Sequence, residues 1–226
     1  MFDLDGTLLD SAEDIAIAVN YAFEKLSIPQ KTTQEIVSKV GYGAKKLIED
    51  LIPDYPQDIK EKALEIFKEF YYQNPVIYSK LYEGAQETVI KLKESGRKVA
   101  VITNKYEELS KKILDKLGIL NYIDLVVGAD TTHEKKPSPL PVFYALEKLK
   151  AEKQNSILIG DSETDVLTAK NSQVKSCLVL HGYGNKQLAL SLNPDYVINS
   201  LKEIEVWLWL KIGEQKYLLT PKRRLT

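Results

Sequence analysis

"RKVAVITNKYEELSKKILDKLGI" (residues 97–119) changes its hydrophobic period partway along. Its opening, 97–103, holds a continuous apolar run at 99–102 of mostly β-branched residues, the pattern of a strand covered on both faces. Its second half, 106–117, carries a helical pattern. The alternation repeats downstream. "DLVVGAD" (124–130), "SILIGD" (156–161), "SCLVL" (176–180) and "DYVI" (195–198) read as strands, and 139–150 and 163–171 read as helices. Strand–helix alternation of this kind predicts an α/β fold: a Rossmann-like, mostly parallel sheet flanked by helices.

Residues 12–79 follow another rule. Ile15, Val19, Ala22, Phe23 and Leu26 recur at helical spacing, as do Ile59, Ala63, Ile66 and Phe70. "GYG" (41–43), "IPDYP" (52–56) and "QNP" (73–75) break the region into about four helices. Ser11 with Asp14 has the form of a capping box and predicts a helix start at Ser11. The expected organisation is therefore an α/β core from 1–11 plus 80–226, with an inserted all-α helical cap at 12–79.

Composition bounds the function. The 226 residues are 44% hydrophobic and 28% charged, enough for a buried core. The formal net charge is −1, from 31 basic and 32 acidic residues, which gives no footprint for nucleic acid or a membrane surface. No apolar run approaches the length of a membrane span, and no secretory signal is visible. The single cysteine, Cys177, rules out an intrachain disulfide and fits a reducing, cytoplasmic location. It is expected to be an inert buried thiol.

The polar residues collect at the ends of the strands. In "FDLDGT" (2–7), Asp3 and Asp5 are two apart, which on a strand turns both side chains to one face. Gly6 allows a sharp exit, and Thr7 can hydrogen-bond nearby. Thr103 and Asn104 end the strand at 97–103. Lys136 follows the next strand and precedes a Pro-x-Pro. Asp161 ends another, with Asp165 one helical turn on. Any one of these could be a cap or a turn; four at one sheet edge point to a site in the crevice where open α/β sheets bind ligands. Converging carboxylates call for a cation, and an all-oxygen donor set favours magnesium. A lysine and a hydroxyl beside it suit a phosphoryl group, and a carboxylate can serve as the nucleophile.

The four motifs DLDGT, ITN, KKP and GDSETD resemble those of the haloacid dehalogenase (HAD) superfamily, in its phosphatase branch with a helical cap. The resemblance spans roughly Met1 to Leu210. Within the superfamily the chain looks most like phosphoglycolate phosphatases, through "VGYGAKKLIEDL", "VITNKYEELSKKILDKLGI", "KKPSPLPV" and "PDYVINSLKEI". The resemblance implies a magnesium-dependent phosphomonoesterase acting on a small phosphorylated metabolite, with 2-phosphoglycolate the first expectation. It implies Asp3 as nucleophile, Asp5 as acid and base, Thr103 and Asn104 as phosphoryl binders, Thr7 as a further substrate-binding residue, and Lys136 as the neutralising cation. Asp3, the Asp5 carbonyl and Asp161 would hold the metal, with Asp165 acting behind them. Asp5 argues against a dehalogenase, since those relatives look like they lack an acid at that position.

The same residues also fit a phosphotransferase like β-phosphoglucomutase, an inorganic pyrophosphatase, or a binding protein that kept the fold. The resemblance further implies more apolar residues ahead of Asp3 than Met1 and Phe2. The chain is thus expected to begin late or to leave a short strand under Asp3. In the cap, Gly41 and Gly43 are expected to bring backbone near the anion; for Lys45 and Lys46 a solvated helix face is favoured over contact with a second negative charge. His133 and His181 read as isolated surface or loop residues. Residues 201–213 read as a last helix, with Trp207 and Trp209 packing it on the core, and 214–226 as a solvated tail. A monomer or a homodimer is expected, with no nucleic-acid or membrane partner.

Overall fold

The computed structural model of the chain describes residues 1–204. The expected last helix therefore lies, beyond its first four residues, outside the described residues, as do Trp207, Trp209 and the tail.

The chain opens with a paired stretch at residues 1–3 and a tight turn, then β1 (Leu9–Asp10). Four helices follow: α1 (Ala12–Lys25), α2 (Thr33–Val37), α3 (Ala44–Leu51) and α4 (Gln57–Gln73). β2 (Lys80–Leu81) returns to pair antiparallel with β1, so a two-stranded ribbon joins both ends of the helical segment to the rest. Then come α5 (Ala85–Glu94), β3 (Ala100–Ile102), α6 (Glu107–Lys116), β4 (Leu125–Val127) and α7 (Leu140–Leu149). The described chain closes with β5 (Ile157–Gly160), α8 (Glu163–Ser172), β6 (Lys175–Val179), α9 (Lys186–Ser191) and β7 (Tyr196–Ile198).

β3 pairs parallel with β4, and β5, β6 and β7 pair parallel in that order. The opening stretch bridges the two groups. The Phe2 amide donates to Ala100 O at 2.8 Å and the Asp3 amide to Ile159 O at 2.8 Å, while Phe2 O accepts from Ile102 and Met1 O from Ile159. One parallel sheet results, in the order β4, β3, residues 1–3, β5, β6, β7. The opening stretch is its centre. Because side chains alternate along a strand, Val99 and Val101 enter one apolar cluster while Ala100 and Ile102 enter another on the opposite face. α6 contributes Ile113 and Leu114 to the first, and α7 contributes Val142 and Ala145 to the second. That two-sided cover is why the strands read as unbroken apolar runs.

Two local expectations are corrected. The strand does not extend to Asp5. Leu4 O accepts the amides of Thr7, Leu8 and Leu9, and Gly6 takes φ +81°. The chain has already left the sheet after Asp3, so Asp5 reaches the site from a turn. The capping box at Ser11 is also absent. The buried Asp14 carboxylate instead accepts the amides of Ile77, Tyr78 and Ser79 at 2.9–3.0 Å, together with the Ser79 hydroxyl. The Ser11 hydroxyl donates to Asp5 Oδ1 at 2.6 Å. Three backbone amides outcompete the local cap, and the start of α1 is tied to the strand that returns from α4.

Asp14→Ala leaves those amides without partners and should destabilise the fold by about 3 kcal/mol. The urea midpoint should fall accordingly; a midpoint within error of wild type would show that the tie carries no stability.

Candidate active site

The parallel sheet delivers its polar residues to one edge. Asp3 ends the central stretch, Thr103 and Asn104 follow β3, Lys136 lies in the loop after β4, and Asp161 follows β5. All five are buried.

Lys136 is the centre of this group. Its Nζ is 2.6 Å from Asp3 Oδ1 and 2.6 Å from Asp165 Oδ1, with the lysine side chain 2% exposed. Burial alone would lower the pKa of such an ammonium; Asp165 and Asp3 outweigh it and hold Lys136 above its usual value. The other oxygen of Asp165 accepts the amide and hydroxyl of Ser162, at 3.1 and 2.6 Å. Asp165 is therefore both an anchor for Lys136 and a cap for α8. Burial pushes the Asp3 carboxyl up; Lys136 opposes this, and Asp165 and Asp161 add to it.

Asp161 is held differently, because every donor to it is neutral. Thr7 Oγ1 donates at 3.1 Å, and the amides of Tyr183 and Gly184 donate at 2.8 and 2.9 Å. Burial and the nearby Asp165 raise its pKa. The loop at 181–184 lies directly on this carboxylate. A Cβ at Gly182 would overlap Gly6 O and the Asp161 side chain, and one at Gly6 would overlap the Asp161 carboxylate. Only glycine fits the close approach at both places.

Carboxylate oxygens of Asp3, Asp161 and Asp165 lie within 4.8 Å of one another. The donor set is all oxygen and buried, and Lys136 sets one positive charge against the two carboxylates of Asp3 and Asp165 while Asp161 has only neutral partners. This inventory fits a hard divalent cation.

Thr103, Asn104 and Asp5 line the adjoining cavity, of about 70 Å³, with Gly41 and Gly43 from the helical segment. The GYG loop meets this edge, though through carbonyls. Gly41 O accepts from Asn104 Nδ2 at 2.8 Å, and Tyr42 O accepts from Lys135 Nζ at 2.7 Å. Lys45 and Lys46 do not meet the site. They sit on the exposed face of α3 beside Glu49 and Asp50, at 4.0 and 2.6 Å. An amphipathic helix that buries Leu47 and Ile48 has to turn these lysines to solvent.

Four residues outside the sequence-level expectations belong to the site. Lys105 Nζ is 3.1 Å from Asp5 Oδ2 and 3.0 Å from the Tyr71 hydroxyl. Tyr183 accepts the Ser11 amide on its hydroxyl and donates from it to Asp10 Oδ1 at 3.1 Å. It therefore links the Asp161 loop to the β1–β2 ribbon. His181 is not isolated: its Nε2 lies 3.0 Å from Thr7 O and its ring stacks on Tyr82 at 4.1 Å. His133 is exposed, and Cys177 is buried, with burial pushing its thiol up.

A model of the haloacid dehalogenase-like hydrolases matches residues 1–179. The chain belongs to that family. A phosphoglycolate phosphatase of Aquifex aeolicus is 42% identical over 201 residues, covering 88% of this chain and 91% of its own. One from Vibrio parahaemolyticus is 35% identical, covering 90% and 92%. The crystal structure of a predicted phosphoglycolate phosphatase from Haemophilus somnus matches with a TM-score of 0.85 at 26% identity, over 92% of this chain and 96% of that one. The chain is thus a HAD hydrolase similar to enzymes that act on phosphoric monoesters. No helix among the described residues is long and apolar enough to cross a membrane.

Removing Lys136 leaves two buried carboxylates face to face. Lys136→Ala should destabilise the protein by about 3–5 kcal/mol at neutral pH. The measurement is denaturant unfolding of the metal-free protein, and unchanged stability would exclude the ion triad as a structural element.

Proposed function

We propose that this HAD hydrolase is a magnesium-dependent phosphomonoesterase whose substrate is 2-phosphoglycolate, which it cleaves to glycolate and phosphate through an aspartyl-phosphate on Asp3. The observation that carries this reading is the buried Asp3–Lys136–Asp165 triad beside Asp161, at the mouth of a cavity that also presents Asp5. The similarity to phosphoglycolate phosphatases supports the choice of substrate.

In this reading an oxygen of Asp3 attacks phosphorus and the bond to the ester oxygen breaks. Asp5 delivers a proton to the departing alkoxide. It then takes a proton from the water that attacks the aspartyl-phosphate, releasing phosphate and restoring Asp3. Lys136 binds Asp3 Oδ1, which orients the carboxylate and places positive charge beside the transferring group. Ser11 and Lys105 orient Asp5, one on each oxygen. Thr103 and the Asn104 backbone hold phosphoryl oxygens, with Thr7 steadying Asp161. Asp3, the Asp5 carbonyl and Asp161 would hold magnesium. When bound, the ion supplies compensation for the charge of the carboxylates and the phosphoryl oxygens. Both Asp165 oxygens are already engaged by Lys136 and Ser162, which supports a role behind the metal rather than on it.

Helices α1–α4 act as a cap on this reading, and the β1–β2 ribbon is the hinge about which it closes over the substrate and excludes water. The core then comprises 1–11 and 80–226, and the cap 12–79.

With magnesium, the purified protein should release phosphate from 2-phosphoglycolate faster than from pyrophosphate or glucose phosphates, and Asp3→Asn should abolish turnover. Faster cleavage of pyrophosphate, or interconversion of sugar phosphates, would reject the substrate; no release from any small phosphate ester would reject the phosphomonoesterase.

The metal assignment has a readout independent of activity. Saturating magnesium should raise the melting temperature by about 5 °C through preferential binding to the folded state. Asp161→Asn should lose that shift. Its metal-free stability should equal or exceed that of wild type, because a buried charge with neutral partners has been removed. A full magnesium shift in the variant would exclude Asp161 as a ligand.

A further inference from the structure

Lys105 is a buried cation that the four motifs leave without a role. It follows Asn104 immediately after β3, and its side chain is 7% exposed. Its ammonium touches two groups from different parts of the chain: Asp5 Oδ2, at 3.1 Å, and the hydroxyl of Tyr71 in α4, at 3.0 Å. It also lies 4.3 Å from the centre of the Tyr71 ring. The carboxylate of Asp5 and the hydroxyl of Tyr71 are matched to an ammonium that carries its charge.

Its surroundings make that charge selective. Lys105 is the one cation among the described residues that line the cavity. The walls around it include Ile15, Val40, Leu47 and Phe67, which offer no partner to a hydroxyl-rich substrate. An ammonium in an apolar recess interacts with an anion far more strongly than one in water. It also stands next to Asp5, the residue that serves the leaving oxygen. Any group that Lys105 binds must therefore sit within a few bonds of the ester oxygen.

We propose that Lys105 is the specificity-determining residue, binding a carboxylate on the carbon that carries the ester oxygen. Tyr71 is its positioning residue. The hydroxyl of Tyr71 accepts from Lys105, and its own proton remains to donate to the same carboxylate. The substrate class is that of phosphate monoesters of 2-hydroxy carboxylic acids, of which 2-phosphoglycolate is the smallest. The inference rests on the phosphomonoesterase reading and names the feature of the substrate that the site recognises. Because α4 supplies Tyr71 and the segment after β3 supplies Lys105, recognition requires the helical segment in place over the sheet edge.

The test compares kcat/KM for 2-phosphoglycolate with that for its neutral amide, 2-amino-2-oxoethyl phosphate, and for ethyl phosphate. Wild type should prefer the carboxylate by at least 100-fold over either. Lys105→Met should slow every substrate, since Asp5 loses a neighbour, but should cut the preference itself by 10-fold or more. Lys105→Arg should keep more of the preference than Lys105→Met does, and Tyr71→Phe should reduce it by a few-fold. Two results would overturn the proposal: equal rates on the carboxylate and its amide in wild type, which needs no variant to fold, or a preference that survives Lys105→Met intact. Cleavage of neutral esters without preference would overturn the proposal and leave the phosphomonoesterase reading standing; failure on every ester would remove both.

Discussion

A single ammonium, Nζ of Lys136, holds the site together. It lies between two buried carboxylates at 2.6 Å each, and neither could be tolerated there alone. Asp3 ends the central stretch of the sheet and Asp165 lies in the first turn of α8, so the lysine ties the loop after β4 to both. The buried charges carry a cost, which is offset by geometry: Asp165 spends its second oxygen on the cap of α8, and Asp161 is wrapped by amides of the 181–184 loop. The carboxylate density that would repel in an empty crevice suits a hard divalent cation.

The helical segment and the ribbon that carries it are fastened at separate points, most of them through groups of the site. Asp14 in α1 gathers the amides at 77–79. Tyr183, whose amide binds Asp161, places its hydroxyl on the β1–β2 ribbon. Asn104 reaches Gly41, and Lys105 reaches Tyr71. A displacement of α1–α4 would therefore move Gly41 and Tyr71, the partners of Asn104 and Lys105, at the edge where Lys105 meets Asp5.

The parallel sheet and its order of strands and helices were legible from residues 97–198, because strands buried on both faces have no choice but to be apolar throughout. The polar residues at their ends were legible for the same reason: they interrupt runs that admit nothing polar. Shorter elements were less visible. β1 and β2 have two residues each, and α9 has six, too few for a period to register. The Ser11-x-x-Asp14 pattern misled because a cap is one local use of an aspartate among several. Here amides more than 60 positions away compete for the same oxygens. The GYG loop was found by its glycines, yet its carbonyls rather than its amides face Asn104 and Lys135, an orientation that composition does not encode.

What the sequence by itself determined was the sheet, the helices that cover it, and the group Asp3, Thr103, Lys136, Asp161 and Asp165, since periodicity and strand ends are local properties of the chain. Only the tertiary structure decided the rest: that Asp5 arrives from a turn, that Lys45 and Lys46 face away, and that Lys105, Tyr71, Tyr183 and His181 complete the site. Their roles depend on partners far off in the chain, such as Tyr71 for Lys105 and Asp161 for Tyr183. A lysine or tyrosine carries no mark of the partner it will meet until packing brings the two within hydrogen-bond range.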